Sequence, residues 1–454
     1  MKTKNLKKNC LLKSVASLTL VISAYSNAVD LPVRVQNQDF YDNGNPSKDM
    51  IFLGQSLFFD KIMSGNKNIS CATCHNPLLG SADGLSLGVG EGGQGIGRYR
   101  TTGEGVDHID SRIGRHAPHL FNLGAKEFTS LNWNGIHRTD PASPTSGLIL
   151  PSASETPPDL NNVLAGQALF PIANLNEMVG DDEENDVAIA AQPGPGRFTA
   201  VWGVLVERLR AIPDYVNKFS AAFDDVSQAS DIGIQHYANA ISAFQAFAFR
   251  SDNSQFDQYL RGNTDALTDK QIRGMELFYG DAGCSSCHSG AFQTDHKFYG
   301  IAMPQVGPGP EGRFPLEDRG LAETTGSQED WAKFRTPSLR NVWVTAPYGH
   351  SGAFNTLRAV VEHHLDPLTS LENYKTGKLI VAKDESLEEL DYAGHNDLQL
   401  RQKVIEANDL QPMSLSRQEV GDLLEFLRSL TDWNTLNQDW LIPDSVPSGL
   451  PVYD

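Results

Sequence analysis

Positive charge is what this chain of 454 residues has too little of: 37 Lys and Arg stand against 56 Asp and Glu. Five of the basic residues (Lys2, Lys4, Lys7, Lys8, Lys13) lie in the first 28, which hold no acid. The remainder carries 32 against 56, a balance of −24. Such a surface repels nucleic acid and anionic membrane and favours a partner with a basic patch. Part of the charge is local, in "DDEEND" (Asp181 to Asp186), which reads as a solvated loop. Long apolar runs are missing as well. The one run, "LTLVISAY", follows the five lysines, precedes small residues at "SNA" (Ser26 to Ala28), and is short for a bilayer span. That is the anatomy of a secretory leader. The expectation is residues 1–28 as signal peptide, no membrane span after cleavage, and a periplasmic mature chain. Cysteine is scarce too. Cys10 precedes the apolar run, out of place for a lipid-bearing N-terminus, and only four other cysteines remain.

Those four fall into two pairs, "CATCH" (Cys71, Cys74, His75) and "CSSCH" (Cys284, Cys287, His288). Both are C-x-x-C-H, the attachment signature of c-type haem. Two thiols one turn apart can add to the vinyl groups of one porphyrin, and the adjacent histidine then reaches its iron. A structural disulfide, a redox dithiol or half of a zinc site would leave the histidine after both pairs unexplained. The neighbourhoods repeat: "GQSLFF" precedes the first pair and "GMELFYG" the second. Both share G-x-x-L-F on a probable helix, glycine allowing close packing and Leu and Phe supplying core. The economical reading is an all-α fold of two tandem cytochrome c-like haem domains with long loops, residues 29–262 and 263–454. Helices are expected over 47–59, 199–210, 231–249, 269–280, 355–365 and 416–430, with capping boxes at Thr268/Gln271 and Ser416/Glu419. The Pro/Ser-rich stretch Arg138 to Asp159 lacks helical period and reads as a long surface loop or insertion. A seam between the domains is expected near Asn253 to Thr268.

Beyond the haem motifs, nearly the whole mature chain resembles the bacterial di-haem cytochrome c peroxidase and MauG family. "LGQSLFFDKIMSGNKNISCATCHNP" is similar to its first haem segment. "KFRTPSLRNVWVTAPYGHSGAFNTLRAVVEHH" is similar to its signature after the second. The resemblance implies roles for particular residues. Trp133 would be the conduit between the haems. "GQALFPIANLNEM" would supply the pocket of the first haem, with Glu177 as acid/base group, Gln167 as hydrogen-bond partner of the ligand, and Pro171 at the same relative spacing. His350 matches a histidine near the second haem. Thr345 and Pro347 would offer carbonyl oxygens to a calcium ion between the domains. The family's asparagine ligand to that ion is replaced here by His116, a poor partner for calcium. Classical peroxidases also carry a histidine that caps the first iron until reduction. In "LSLGVGEGGQG" Glu91 stands there, with His108, His116 and His119 as substitutes, so the first haem is expected open. The surface tryptophan that MauG has before its second motif is Ala282 here, leaving Trp331 or Trp343 as exit point.

"TLRAVVEHHLDP" supplies the last ligand. Leu357, Val360, Val361 and His364 stand at i, i+3, i+4 and i+7, on one helical face that is apolar except for its histidine. His363 points about 100° away. His364 aligns with the family's distal ligand of the second haem, methionine in peroxidases and tyrosine in MauG. A core histidine, with Met303 or nothing closing the haem, is the plain alternative. The whole implies two covalent c-type haems, hydrogen peroxide as oxidant, and a periplasmic protein substrate or a small redox protein as partner. The MauG-like branch, which oxidises tryptophan in a protein substrate and includes relatives associated with periplasmic copper-binding proteins, is favoured over peroxide detoxification. A non-catalytic electron carrier with both irons closed is the third reading.

Overall fold

The computed structural model describes Met1 and residues 30–143, 147–310, 316–436 and 438–453. The expected leader, Met1 apart, lies outside the described residues. Among those described, no helix is long and apolar enough to cross a membrane.

Six helices form where capping and apolar period place them: Lys48–Phe59, Arg197–Arg210, Ile234–Ala248, Asp269–Tyr279, Leu357–Leu365 and Arg417–Ser429. Both capping boxes are made. Thr268 N–H donates to Gln271 Oε1 at 2.9 Å, and Ser416 N–H donates to Glu419 Oε2 at 2.6 Å. The G-x-x-L-F repeat has a counterpart in space. A Cβ on Gly54 would lie 2.0 Å from Ala240 O, and one on Gly274 would lie 2.0 Å from Asp422 O. In each half, then, the helix leading into C-x-x-C-H crosses a later helix at a glycine, backbone against backbone.

Each crossing seeds a core. The first gathers Phe58, Phe59, Phe244 and Phe249, with Phe58 and Phe244 rings 5.1 Å apart. The second gathers Phe256, Phe278, Leu423 and Phe426, with Phe256 edge-on to Phe426 at 5.2 Å. The stretch expected as a seam contains a helix, Gln255–Leu260, whose Phe256 belongs to the second core. The C-terminal segment returns to the first core. Leu441 and Val446 are buried there, Gln55 Nε2 donates to Leu441 O at 2.7 Å, and Ser448 Oγ to Asp60 Oδ1 at 2.6 Å.

The Arg138 to Asp159 stretch differs from the loop expected. His137–Thr139 pairs with Ser130–Leu131 on one side and Leu148–Ile149 on the other, a three-stranded antiparallel sheet. Strands of two or three residues are too short to show an alternating period, and the pairing is set by the chain reversal at Gly147 (φ 69°). Residues 144–146 lie outside the described residues. A two-stranded pairing of Phe298–Tyr299 with Phe334–Arg335 completes the β-structure described. Ion pairs join the halves: Arg112 Nε to Asp391 Oδ1 at 2.7 Å, both buried, and Arg115 bidentate to Asp318 at 2.7 Å.

Candidate functional site

The first motif is one helical turn, Cys71–Cys74, which breaks at His75. His75 Nδ1 lies 3.1 Å from Ser81 O. A carbonyl only accepts, so Nδ1 carries the proton and Nε2 is left with a free lone pair, the tautomer an iron requires. The second motif repeats this, with His288 Nδ1 donating to Gln293 O at 3.2 Å. Opposite it, His364 Nδ1 donates to Val360 O at 2.7 Å. The His288 and His364 ring centres are 6.4 Å apart. Two metal–imidazole bonds of about 2 Å, with about 1.2 Å from each nitrogen to its ring centre, span about 6.4 Å. One six-coordinate iron fits between them. Burial, with His364 as neighbour, pushes the His288 pKa down to about 4, and burial lowers that of His364, so both rings are neutral donors.

His363 is the more deeply buried of the two adjacent histidines. Its Nε2 donates to Ile301 O at 2.7 Å and its ring packs on Phe354. It is a core histidine, and His364 is the one that faces His288.

All four cysteines of the motifs are free thiols. Burial pushes Cys71 up to about 11, Cys74 to about 12 and Cys284 to about 11. A redox dithiol or a zinc thiolate needs the opposite shift. Among the described residues, no three or more His, Cys, Asp and Glu gather as metal ligands. The donor set at each motif, two thiols and an imidazole with its Nε2 unbonded, therefore fits a thioether-linked haem.

Beside the first motif lies the segment from Gln167 to Glu177. Gln167 ends the short helix Val163–Gln167. Pro171 opens the next turn, and Glu177 sits in a single π-helical turn, Leu175–Val179. Val179 N donates to Asn174 O at 3.1 Å and Gly180 N to Leu175 O at 3.3 Å, the i−5 pattern that recurs at functional sites. Asn174 Nδ2 donates to Glu177 Oε1 at 3.1 Å. Burial raises the Glu177 carboxyl to about 7. Its charge in turn raises both Cys71 and Cys74, which sets the carboxylate close to the first motif. Asn174 was not singled out from sequence, although it opens this turn three residues before the glutamate.

Each group considered as a cap for the first iron holds another partner, but among the described residues His116, bonded through Nδ1, keeps Nε2 unbonded just as His75 does, and His119 keeps Nδ1 unbonded. His108 Nε2 pairs with Asp384 at 2.6 Å, His116 Nδ1 donates to Leu85 O at 2.8 Å, and His119 Nε2 to Ser338 O at 3.3 Å. Glu91 accepts from the side-chain amides of Asn66 and Asn68. His116 and His119 are each pushed down to about 4, chiefly by burial.

Trp133 stands where the halves meet. Its indole Nε1 donates to His116 O at 3.0 Å, and its carbonyl accepts from Arg335 N at 2.9 Å. His116 N donates to His350 O at 2.8 Å, and the His350 ring stacks on Phe334 at 3.7 Å. Trp133 and His116 are thus hydrogen-bonded to Arg335 and His350, far along the chain. Thr345 Oγ1 donates to Val342 O, and Ala346–Pro347 is cis. A neutral imidazole already bound to Leu85 O is not a hard oxygen ligand, so the residues here do not fit calcium.

Fold and site together define a di-haem c-type oxidoreductase. A family model for di-haem cytochrome c peroxidase matches residues 48–265. The cytochrome c551 peroxidase of Pseudomonas aeruginosa is 30% identical over 338 residues, 73% of this chain and 74% of that one. The methylamine utilization protein MauG of Methylorubrum extorquens is 29% identical over 326 residues, 72% and 71%. Among solved structures, a MauG-like protein associated with microbial copper homeostasis matches with a TM-score of 0.57 and 26% identity, over 91% of this chain and 97% of that one. The di-haem peroxidase BthA of Burkholderia thailandensis shares the fold, with a TM-score of 0.56 and 19% identity over 93% and 95%. The chain belongs to the di-haem cytochrome c peroxidase and MauG family. Membership implies two c-type haems and chemistry with peroxide.

Proposed function

We propose that this chain is an exported, periplasmic oxidase that takes oxidising equivalents from hydrogen peroxide and uses them on an aromatic, tryptophan-type side chain of a partner protein. The observation that supports it best is the facing pair His288 and His364, 6.4 Å apart with both Nε2 atoms free to bind. When bound, the haems supply the iron that receives peroxide and the electrons that reduce it. Imidazole in place of a thioether favours the ferric state and lowers the potential of the second centre. Such a centre is poorly suited to drawing electrons from a small cytochrome and well suited to sharing oxidising equivalents.

The chain's own residues supply the rest. Glu177, with its pKa about 7, takes a proton from hydrogen peroxide and returns it to the departing oxygen, which leaves as water. Gln167 hydrogen-bonds the same ligand, Pro171 shapes the pocket beside it, and Trp133 couples the two haem sites. His350, stacked on Phe334, lines the seam. Of the two tryptophans considered as exit point, Trp331 is 7% exposed and Trp343 is 39% exposed, which supports Trp343. The likeness to a MauG-like protein associated with copper homeostasis supports a copper-binding periplasmic protein as partner. Calcium is given no part, although Thr345 and Pro347 occupy the family's positions for it.

A second reading, reduction of peroxide to water with electrons from a small redox protein, is supported by the 30% identity to a cytochrome c551 peroxidase. Electron paramagnetic resonance of the ferric protein separates the two. One high-spin and one bis-imidazole low-spin signal, both lost on adding peroxide without prior reduction, is the expected result. Two low-spin signals that ignore peroxide until one haem is reduced, with fast turnover of reduced cytochrome c, would establish the second reading instead.

A further inference from the structure

The turn that carries Glu177 is gripped from two sides by loops of the same construction. On one side Gly65 N donates to Met178 O at 2.7 Å, and a Cβ on Gly65 would lie 1.8 Å from Val179 O. On the other, Glu91 N donates to Glu177 O at 2.9 Å, and a Cβ on Gly90 would lie 1.9 Å from Asn176 O. Each loop is held from behind by one arginine. Arg208 binds the carbonyls of Ile62, Ser64 and Gly65 at 3.0, 2.7 and 3.0 Å. Arg100, buried, binds those of Val89, Gly90 and Gly95 at 2.8, 2.7 and 2.8 Å. The two loops are then tied together, since the Glu91 carboxylate accepts from Asn66 and Asn68, both in the loop that follows Gly65. Asn185 Nδ2 closes the ring by donating to Asn66 Oδ1 and Val179 O.

We propose that Arg100 and Arg208 are positioning residues for the peroxide chemistry, each bracing a glycine loop against the turn that presents Glu177. The proposal rests on the reading of Glu177 given above. The physical reason is the demand of buried carbonyls for donors. A guanidinium meets several at once in a fixed plane, whereas an ammonium is a point charge on a flexible stem. Neither arginine touches the reacting atoms. Their effect on Glu177 passes through backbone contacts at Gly65, Gly90 and Glu91. A displacement of about 1 Å at a proton-transfer group can cost on the order of 100-fold in rate.

The test uses the holoprotein with Arg100→Lys, Arg208→Lys and Gly90→Ala. The last keeps both arginines and pushes on Asn176 O. Two rates are measured by rapid mixing with the ferric protein: reaction with hydrogen peroxide, and binding of nitric oxide to the first haem, which needs no proton transfer. Each variant is expected to slow the peroxide reaction about 10- to 100-fold, while nitric oxide binding stays within about twofold. Adding Arg100→Lys to Glu177→Gln should slow the reaction no further, because both act on one step. A peroxide rate equal to the parent's, an equal fall in both rates, or a further multiplicative loss in the double variant would overturn the proposal alone. No effect of Glu177→Gln by itself would remove the role of Glu177, and the clamp would fall with it.

Discussion

Replacing Glu177 by glutamine keeps the outline of the side chain and removes its proton chemistry. General acid–base catalysis contributes about 10²- to 10⁴-fold, so Glu177→Gln should slow the reaction with peroxide by at least about 100-fold, about 3 kcal/mol of barrier. The pH dependence is the sharper check. With the carboxyl at about 7, roughly a tenth is ionised at pH 6 and nine-tenths at pH 8. Only the carboxylate accepts the proton of peroxide, so the parent's second-order rate should rise about tenfold across that range, and the variant's should be flat. Stability should move the opposite way. Burial raises this carboxyl from 4.5 to about 7, so the folded state is penalised above the unfolded value. The penalty grows between pH 4.5 and 7 and then levels, at on the order of 3 kcal/mol. Glutamine carries no such penalty, so the variant should be the more stable protein at pH 8 and no different at pH 4. Stopped-flow rates from pH 5.5 to 8.5, with denaturant melts at both ends, read both effects. A parent rate without slope, or a slope that survives in the variant, would refute the assignment of Glu177 as the base.

His364→Ala should remove the low-spin signal of the second haem and leave a site that takes up added imidazole. A resonance spectrum unchanged from the parent would remove His364 from the ligand set. Asp257→Asn should destabilise the protein by about 3–5 kcal/mol, because Arg340, wholly buried with Nη1 2.7 Å from Asp257 Oδ2, loses its counter-charge. Chemical denaturation reads that loss, and a change below about 1 kcal/mol would count against a buried ion pair. Removing divalent cations with a chelator should leave the spectra and the peroxide rate as they were, while a loss restored by added calcium would show that the His116 site binds it after all.

What the sequence revealed best were features whose cause is local. C-x-x-C-H and the capping boxes at Thr268 and Ser416 each act within about one turn, so their partners are adjacent in the text. That His364 would face away from His363 was legible from the helical period, though nothing in the pattern foretold that His363 would be the more buried ring, since its partner is Ile301 O, far along the chain. The small sheet around His137 was missed because strands of two or three residues have no period to read. The clamps at Arg100 and Arg208 were invisible for another reason. They hold backbone carbonyls, which every residue has, so no side-chain pattern marks the partner.

The return of the C-terminal segment to the first core sets an order of events during synthesis. Asp60 meets Ser448, Lys61 meets the Tyr453 carbonyl and Gln55 meets the Leu441 carbonyl, contacts between residues 388, 392 and 386 positions apart. A nascent chain has made "CATCH" long before it has made any of these partners. Until residues 441–448 are made, Gln55 and Asp60 lack these partners, so this segment docks on a first core whose helices are already present. A chain cut after Leu441 would carry both motifs and still lack the Ser448 contacts to Asp60.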